Sequence, residues 1–181
     1  MTKKATKYEG QWVTVEVIDG WYEYARDSNS RGIVYILPYK ITPEGFEVLG
    51  RYENTPCHED GITLTSITGG IPMQETPIDA AVRETYEEAG YTVVPGDFDF
   101  LGDMRPSKML STRAYMYMVN VTDISPDKPK GDGTKGESDA YVQWITPEEA
   151  VMCKEPMMSA MVLRAARIIM TRALKNAIAK G

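Results

Sequence analysis

The sequence predicts an α/β (α+β) fold in which a mixed β-sheet packs between helices, preceded by an N-terminal β-hairpin. Three observations carry this. Short β-rich runs recur between residues 12 and 145, one glutamate-rich segment near 76–90 has helical periodicity, and residues 157–178 form a long amphipathic stretch. At 181 residues, 43% of them hydrophobic and 25% charged, the chain suits one well-cored domain, so 1–181 is read as a single unit.

The elements follow in order. Residues 12–18 (WVTVEVI) and 21–26 (WYEYAR) are joined by Asp19-Gly20, a two-residue hairpin signal between β-rich runs. Residues 32–38 (GIVYILP) and 46–51 (FEVLGR) read as buried strands across a Pro/Gly turn, and 62–67 (ITLTSI) leads into the glutamate-rich segment. That segment has helix signals at both ends. Thr76 is an N-cap, Pro77 takes the favoured first position, Asp79 complements the dipole, and Gly90 supplies the left-handed stop. Strand-like runs return at 91–94, 98–102, 114–121 and 140–145, while the polar connection 123–139 is the longest loop. Thr146-Pro147-Glu148-Glu149 is a capping box that starts a short helix. Residues 157–178 then form a basic amphipathic helix with Met157, Met161, Val162, Ala165, Ile168 and Ile169 on its apolar side.

Chemistry concentrates in residues 69–91, GGIPMQETPIDAAVRETYEEAGY, where seven residues stand at the spacing G-x5-E-x7-R-E-x2-E-E-x-G. On a helix, Glu84, Glu87 and Glu88 share roughly a 100° arc, and Ile78, Ala81, Val82, Thr85 and Ala89 form an apolar stripe opposite. Carboxylates so close repel one another, so the segment predicts a divalent-metal site. Hard cations such as Mg²⁺ take oxygen ligands. Upstream, Gly69 and Gly70 allow a tight turn and a close approach of backbone to ligand, and Thr68 offers a carbonyl oxygen there. R-E-x2-E-E alone would read as a solvated helix with Glu–Arg pairs, but agreement at seven positions has a chance of roughly one in 10⁸ per starting point.

The segment resembles the Nudix box of the Nudix hydrolase superfamily, whose members cleave a nucleoside diphosphate linked to another group. The resemblance implies a Nudix-type α/β/α sandwich, with Glu84, Glu87 and Glu88 as metal ligands and Glu75 and Arg83 bracing the motif through a salt bridge. Thr85 replaces the usual aliphatic residue and Gln74 a common glycine; neither change removes a carboxylate. Pro106, 15 residues after Tyr91, resembles a proline typical of ADP-ribose pyrophosphatases, and Ser111-Thr112-Arg113 resembles the turn that follows it there. Arg31-Gly32-Ile33-Val34 and Arg51-Tyr52-Glu53 are similar to the strand starts of that subfamily, although Thr65 stands where a glutamate is frequent.

These likenesses imply Mg²⁺-dependent hydrolysis of ADP-ribose to AMP and ribose 5-phosphate, with Mn²⁺ as an alternative ion. The other readings are hydrolysis of a dinucleoside polyphosphate, nucleotide sugar, NADH, capped RNA or oxidised nucleoside triphosphate, and a non-catalytic nucleotide sensor. In the subfamily a glutamate from a late loop activates the water, which implies Glu137, with Asp139 second, or else the box glutamates themselves. Arg51, and Arg105 beside Pro106, are either phosphate contacts or ordinary surface arginines. Trp12, Trp21, Tyr22 and Tyr24 either stack an adenine or pack in the core or at a subunit interface. The subfamily exchanges its N-terminal hairpin across a dimer, which implies a homodimer with residues 1–30 as the arm.

Composition bounds these readings. A net charge of −6 argues against a nucleic-acid surface. Cys57 and Cys153 lack metal-type spacing and read as free thiols of a reducing cytoplasm; His58 has no sequence neighbour to make a triad and reads as a loop residue. MTKKATKYEG has no apolar signal core, and no run approaches 18 apolar residues, so neither export nor membrane insertion is indicated, and a cytoplasmic protein with no membrane partner is expected.

Overall fold

A computed structural model describes residues 3–58, 61–129 and 139–180. Along these residues run β1 (Lys4–Glu9), β2 (Val13–Ile18), β3 (Tyr22–Asp27), β4 (Ser30–Thr42), β5 (Gly45–Asn54), β6 (Ile62–Thr65) and β7 (Ile67–Pro72), then helix α1 (Pro77–Ala89). They continue with β8 (Phe98–Met104), β9 (Ala114–Asn120), β10 (Tyr141–Ile145), α2 (Pro147–Val151) and α3 (Pro156–Lys180).

The N-terminal strands form their own antiparallel sheet in the order β1-β2-β3. Its β2–β3 turn has Asp19 and Gly20 at φ 51° and 80°, the left-handed pair that a tight hairpin requires. Strand β1 has no sequence signature: KATKYE shows no apolar alternation and is exposed throughout. Pairing with β2 and a 2.5 Å ion pair from Lys4 to Glu16 hold it in place.

The main sheet runs β10-β5-β4-β9-β8, with β6 added to β5 and β7 to β4. It is mixed, because β4 and β9 pair in parallel and the other ladders are antiparallel. Alternation along β4 and β9 divides the core in two. Val34, Ile36, Tyr117 and Val119 pack with Ala80, Ala81 and Ala89 of α1, while Leu37, Met116 and Met118 pack with Met157, Met158, Met161 and Ala165 of α3. The result is the expected α/β/α sandwich, and Met116, Met118, Met157, Met158 and Met161 serve as core.

Two strand expectations need correction. Residues 62–67 are not one strand: the chain leaves β5 after Thr65 and joins β4 from Ile67. Ser66, at the change of partner, turns its N–H and hydroxyl to Glu155 (2.7 and 2.6 Å) just before α3. Residues 91–94 make no ladder among the described residues; Tyr91 and Val93 are buried instead beside α1.

Candidate active site

Helix α1 forms where its end signals predicted. The extended Thr76 hydroxyl accepts from the Asp79 N–H at 3.3 Å, Pro77 begins the helix, and Gly90 closes it at φ 76°. Gly90 has a second reason to be glycine, since a Cβ there would lie 2.1 Å from the Asp127 carbonyl oxygen. The inner face is made of small residues, Ala80, Ala81, Thr85 and Ala89, so the helix lies close to the sheet. Thr85 replaces an aliphatic side chain at little cost, because its hydroxyl donates to the Ala81 carbonyl at 2.7 Å.

That close approach carries Glu84 onto β7. A Cβ on Gly69 would stand 1.7 Å from Glu84 Oε1, so only glycine leaves room for the carboxylate. Gly69 and Gly70 therefore sit within a strand, opposite Val34 and Ile33, and not in a turn. The close approach is to a side chain of the same protein. One strand residue earlier, the Thr68 N–H donates to Glu88 Oε2 at 3.0 Å.

Two arginines organise the carboxylates. Arg83 grips both oxygens of Glu75 (3.1 and 3.0 Å), donates to Glu84 at 2.6 Å and Glu87 at 2.9 Å, and reaches the Gly70 carbonyl at 3.1 Å. Those contacts join the β7–α1 connection to the helix and hold the Arg83 guanidinium firmly protonated. Arg51, only 5% exposed, pairs with Glu88 and stands 3.0 Å from Glu53 Oε2. Glu53 in turn accepts from the Thr65 hydroxyl at 3.1 Å.

Burial works against these charges. It pushes the Glu84 carboxyl up to about 7, with Arg83 opposing the shift, and Glu88 up to about 8, with Arg51 and the Thr68 N–H opposing it. Among the described residues no three acidic, histidine or cysteine side chains converge as a ready cation cage. The arginines hold the glutamates individually. The donor set nonetheless fits a hard divalent cation: it is all oxygen, Glu84 is buried and Glu88 nearly so, and a cation would offset the cost of keeping carboxylates charged where burial disfavours it.

Beside this cluster a cavity of about 730 Å³ opens between the N-terminal sheet and the box, lined by Trp12, Asp27, Asn29, Gly69, Gln74 and Glu84 among others. The NUDIX domain family model matches residues 42–165, well over half of the chain. The chain belongs to the Nudix family. It is a Nudix-type pyrophosphohydrolase, a family that acts on small nucleotide substrates with divalent metals. A solved structure, the crystal structure of an ADP compounds hydrolase, superposes with a TM-score of 0.71 over 95% of each chain at 16% identity, which establishes a shared fold. No curated protein matches the chain.

The structure brings together only part of the residue set that the sequence singles out. Glu84, Glu87 and Glu88 of the Nudix box lie together, Thr68 just upstream of the box bonds Glu88, and Arg51 joins them through Glu88; Arg51 is buried and so is not an ordinary surface arginine. Arg105 and Pro106 lie elsewhere, in the 105–113 connection, and do not line the cavity. That connection docks on β3: the Ala25 N–H donates to the Met109 carbonyl and the Ser111 N–H to the Ala25 carbonyl, both at 2.8 Å. The Thr112 hydroxyl adds a 2.7 Å bond to Asp27. Glu137 falls outside the described residues, and Asp139 is exposed.

Trp12 and Trp21 are exposed in this chain, which removes a core role for them. His58 ends a short 3₁₀ turn beside a second cavity of about 330 Å³, shared with Glu53, Thr65, Lys154 and Glu155. Sequence reasoning missed Glu53, Glu155, Asp27 and Asn29. Each reaches its neighbours through strand register or a chain reversal, and none stands in a local motif.

Proposed function

We propose that this Nudix protein hydrolyses ADP-ribose to AMP and ribose 5-phosphate, with Mg²⁺ as its ion and Mn²⁺ as a substitute. The observation that carries the chemistry is the convergence of the box carboxylates: buried Glu84 stands over Gly69 at the wall of the 730 Å³ cavity, and the Thr68 N–H holds Glu88 one strand residue away. Glu84, Glu87 and Glu88, with the Thr68 carbonyl, would hold the cation, which supplies charge neutralisation for the pyrophosphate and acidity for the attacking water. The choice of ADP-ribose is supported by the name of the structural relative, an ADP compounds hydrolase, and by Pro106 in the sequence.

The chain's own residues perform the remaining tasks in this reading. Arg51 places a guanidinium against Glu88, where the anionic substrate arrives, whereas Arg105, away from the cavity, has no phosphate role in this reading. Trp12, exposed at the cavity wall, offers a ring face to the nucleobase. Glu137, with Asp139 second, takes the proton from the attacking water. The protein is a homodimer in which residues 1–30 meet the partner, supported by the exposed Trp21 and Tyr8 on the N-terminal sheet.

Incubating a nucleotide panel with Mg²⁺ and separating the products tests the assignment. AMP and ribose 5-phosphate from ADP-ribose are expected. Tight ADP-ribose binding with no cleavage of any panel member would replace the hydrolase reading by a sensor. Glu88→Gln should abolish turnover while the fold persists, whereas near-normal rates in that variant would remove Glu88 from the metal set. Glu137→Gln and Asp139→Asn, compared in the same assay, identify the base by the larger fall.

A further inference from the structure

Helix α3 has two apolar faces, and only one is used. Met157, Met158, Met161, Val162 and Ala165 fill the core. Leu163, Met170, Leu174 and Ile178 are respectively 63%, 68%, 63% and 72% exposed. At about 100° per residue these four fall within roughly 80° of one another on the side facing away from the core. Single exposed hydrophobes are ordinary, but a line of four along one helix face marks a contact surface.

Charge indicates what that surface meets. From Pro156 to Lys180 the helix carries five cations and no acid, in a chain of net charge −6. Arg167 stands within the apolar stripe, and Arg164 and Lys175 run along one flank. Beyond that flank, a groove of about 560 Å³ between α3 and β8 is lined by Arg164, Arg167, Thr171 and Lys175, with the half-exposed ring of Phe100 opposite. Arg164 is tied to the Leu101 carbonyl and Arg172 to both oxygens of Asp99. No ion pair engages Arg167 or Lys175 among the described residues, so their charge is available. A second copy of α3 is a poor occupant, because pairing the stripes would set Arg167 and its flanking cations against their equals.

We propose that the outer face of α3 docks the protein on an anionic lipid bilayer. Arg167 and Lys175 meet phosphate headgroups in the groove, and Leu163, Met170, Leu174 and Ile178 enter the headgroup boundary with the helix lying along the surface. No helix of the described residues is long and apolar enough to cross a membrane, so the contact is peripheral. The carboxylate cluster of the box lies on the other helix-bearing face of the sheet, against α1, so docking leaves the active site uncovered.

Co-sedimentation of the full chain with phosphatidylglycerol vesicles, and separately with phosphatidylcholine vesicles, tests this. The wild type should pellet with the anionic vesicles alone and be released by high salt. Leu174→Glu combined with Ile178→Glu, at exposed positions that burden no core contact, should weaken pelleting about tenfold, as should Arg167→Glu combined with Lys175→Glu. Both double variants should keep the wild-type circular dichroism and the wild-type rate on soluble nucleotide. Equal pelleting with both lipids, no pelleting with either, or unchanged pelleting of the Leu174 and Ile178 variant would overturn the proposal. A sedimentation coefficient that falls on Leu174→Glu in the absence of lipid would assign the stripe to a second copy instead.

Discussion

Arg83 binds three carboxylates and a carbonyl at once, yet the space one of them, Glu84, occupies is set by Gly69. A methyl group at Gly69 meets Glu84 head on, and neither the β4-paired strand nor the sheet-packed helix can yield easily. Gly69→Ala should therefore cost about 1–3 kcal/mol and lower turnover sharply as Glu84 is displaced. Gly70→Ala is the control, because nothing lies within 4 Å of its added Cβ; chemical denaturation of the two variants should separate them clearly. Protons supply a second residue-scale outcome. Glu84 and Glu88 hold protons up to about 7 and 8 in the folded chain, against an ordinary value of 4.5. The folded state thus binds more protons than the unfolded chain across that interval, and stability without metal falls as pH rises from about 4.5 to about 8. Divalent cations displace those protons, so their stabilising effect should grow across the same interval. Thermal melts at about pH 5.5 and about pH 8, with and without Mg²⁺, read both slopes; a metal effect independent of pH would contradict the assignment.

At the scale of elements, α1 is the part of the site most legible in the sequence, because its signals are local. Thr76, Pro77 and Gly90 act within one turn of where they stand, and the glutamate arc needs only the helical period. Gly90 is the sharpest test of that reading. Gly90→Ala combines a left-handed backbone with a collision at the Asp127 carbonyl, and should cost about 2 kcal/mol or more, measured as a shift in denaturation midpoint. The rest of the site depends on pairings that no local pattern records. Strand β1 is held by a neighbour and an ion pair while its own residues are exposed throughout. The change of partner at Ser66 is completed by Glu155, 89 residues away, which burial pushes above the ordinary carboxyl range. The sequence leaves Arg51 as either a phosphate contact or a surface arginine because nothing near it announces burial; β10 and β6 on either side of β5 enclose it. Residues 91–94 fail as a strand for the converse reason, since apolar alternation there serves packing beside α1 and no strand pairs with them among the described residues.

For the molecule as a whole, the cavity beside the box is assembled from two sheets, and their relative placement decides its shape. The family match begins at residue 42, so Trp12, Asp27 and Asn29 reach the site from outside the matched region. The 105–113 connection holds them there through the Ala25 and Asp27 bonds. Trp12 is 67% exposed at the cavity wall, and that exposure suits either a nucleobase or a second subunit. Trp12→Ala separates the two. As a base platform, Trp12 contributes binding that is equal in ground and transition states, so its loss should raise KM for ADP-ribose roughly fivefold to tenfold with kcat little changed. The sedimentation coefficient should then stay at the wild-type value. As an interface residue, its loss should instead lower the sedimentation coefficient, and KM should recover as protein concentration rises. The platform role requires the first pattern, because an aromatic face that touches only the base has no leverage on the bond that breaks.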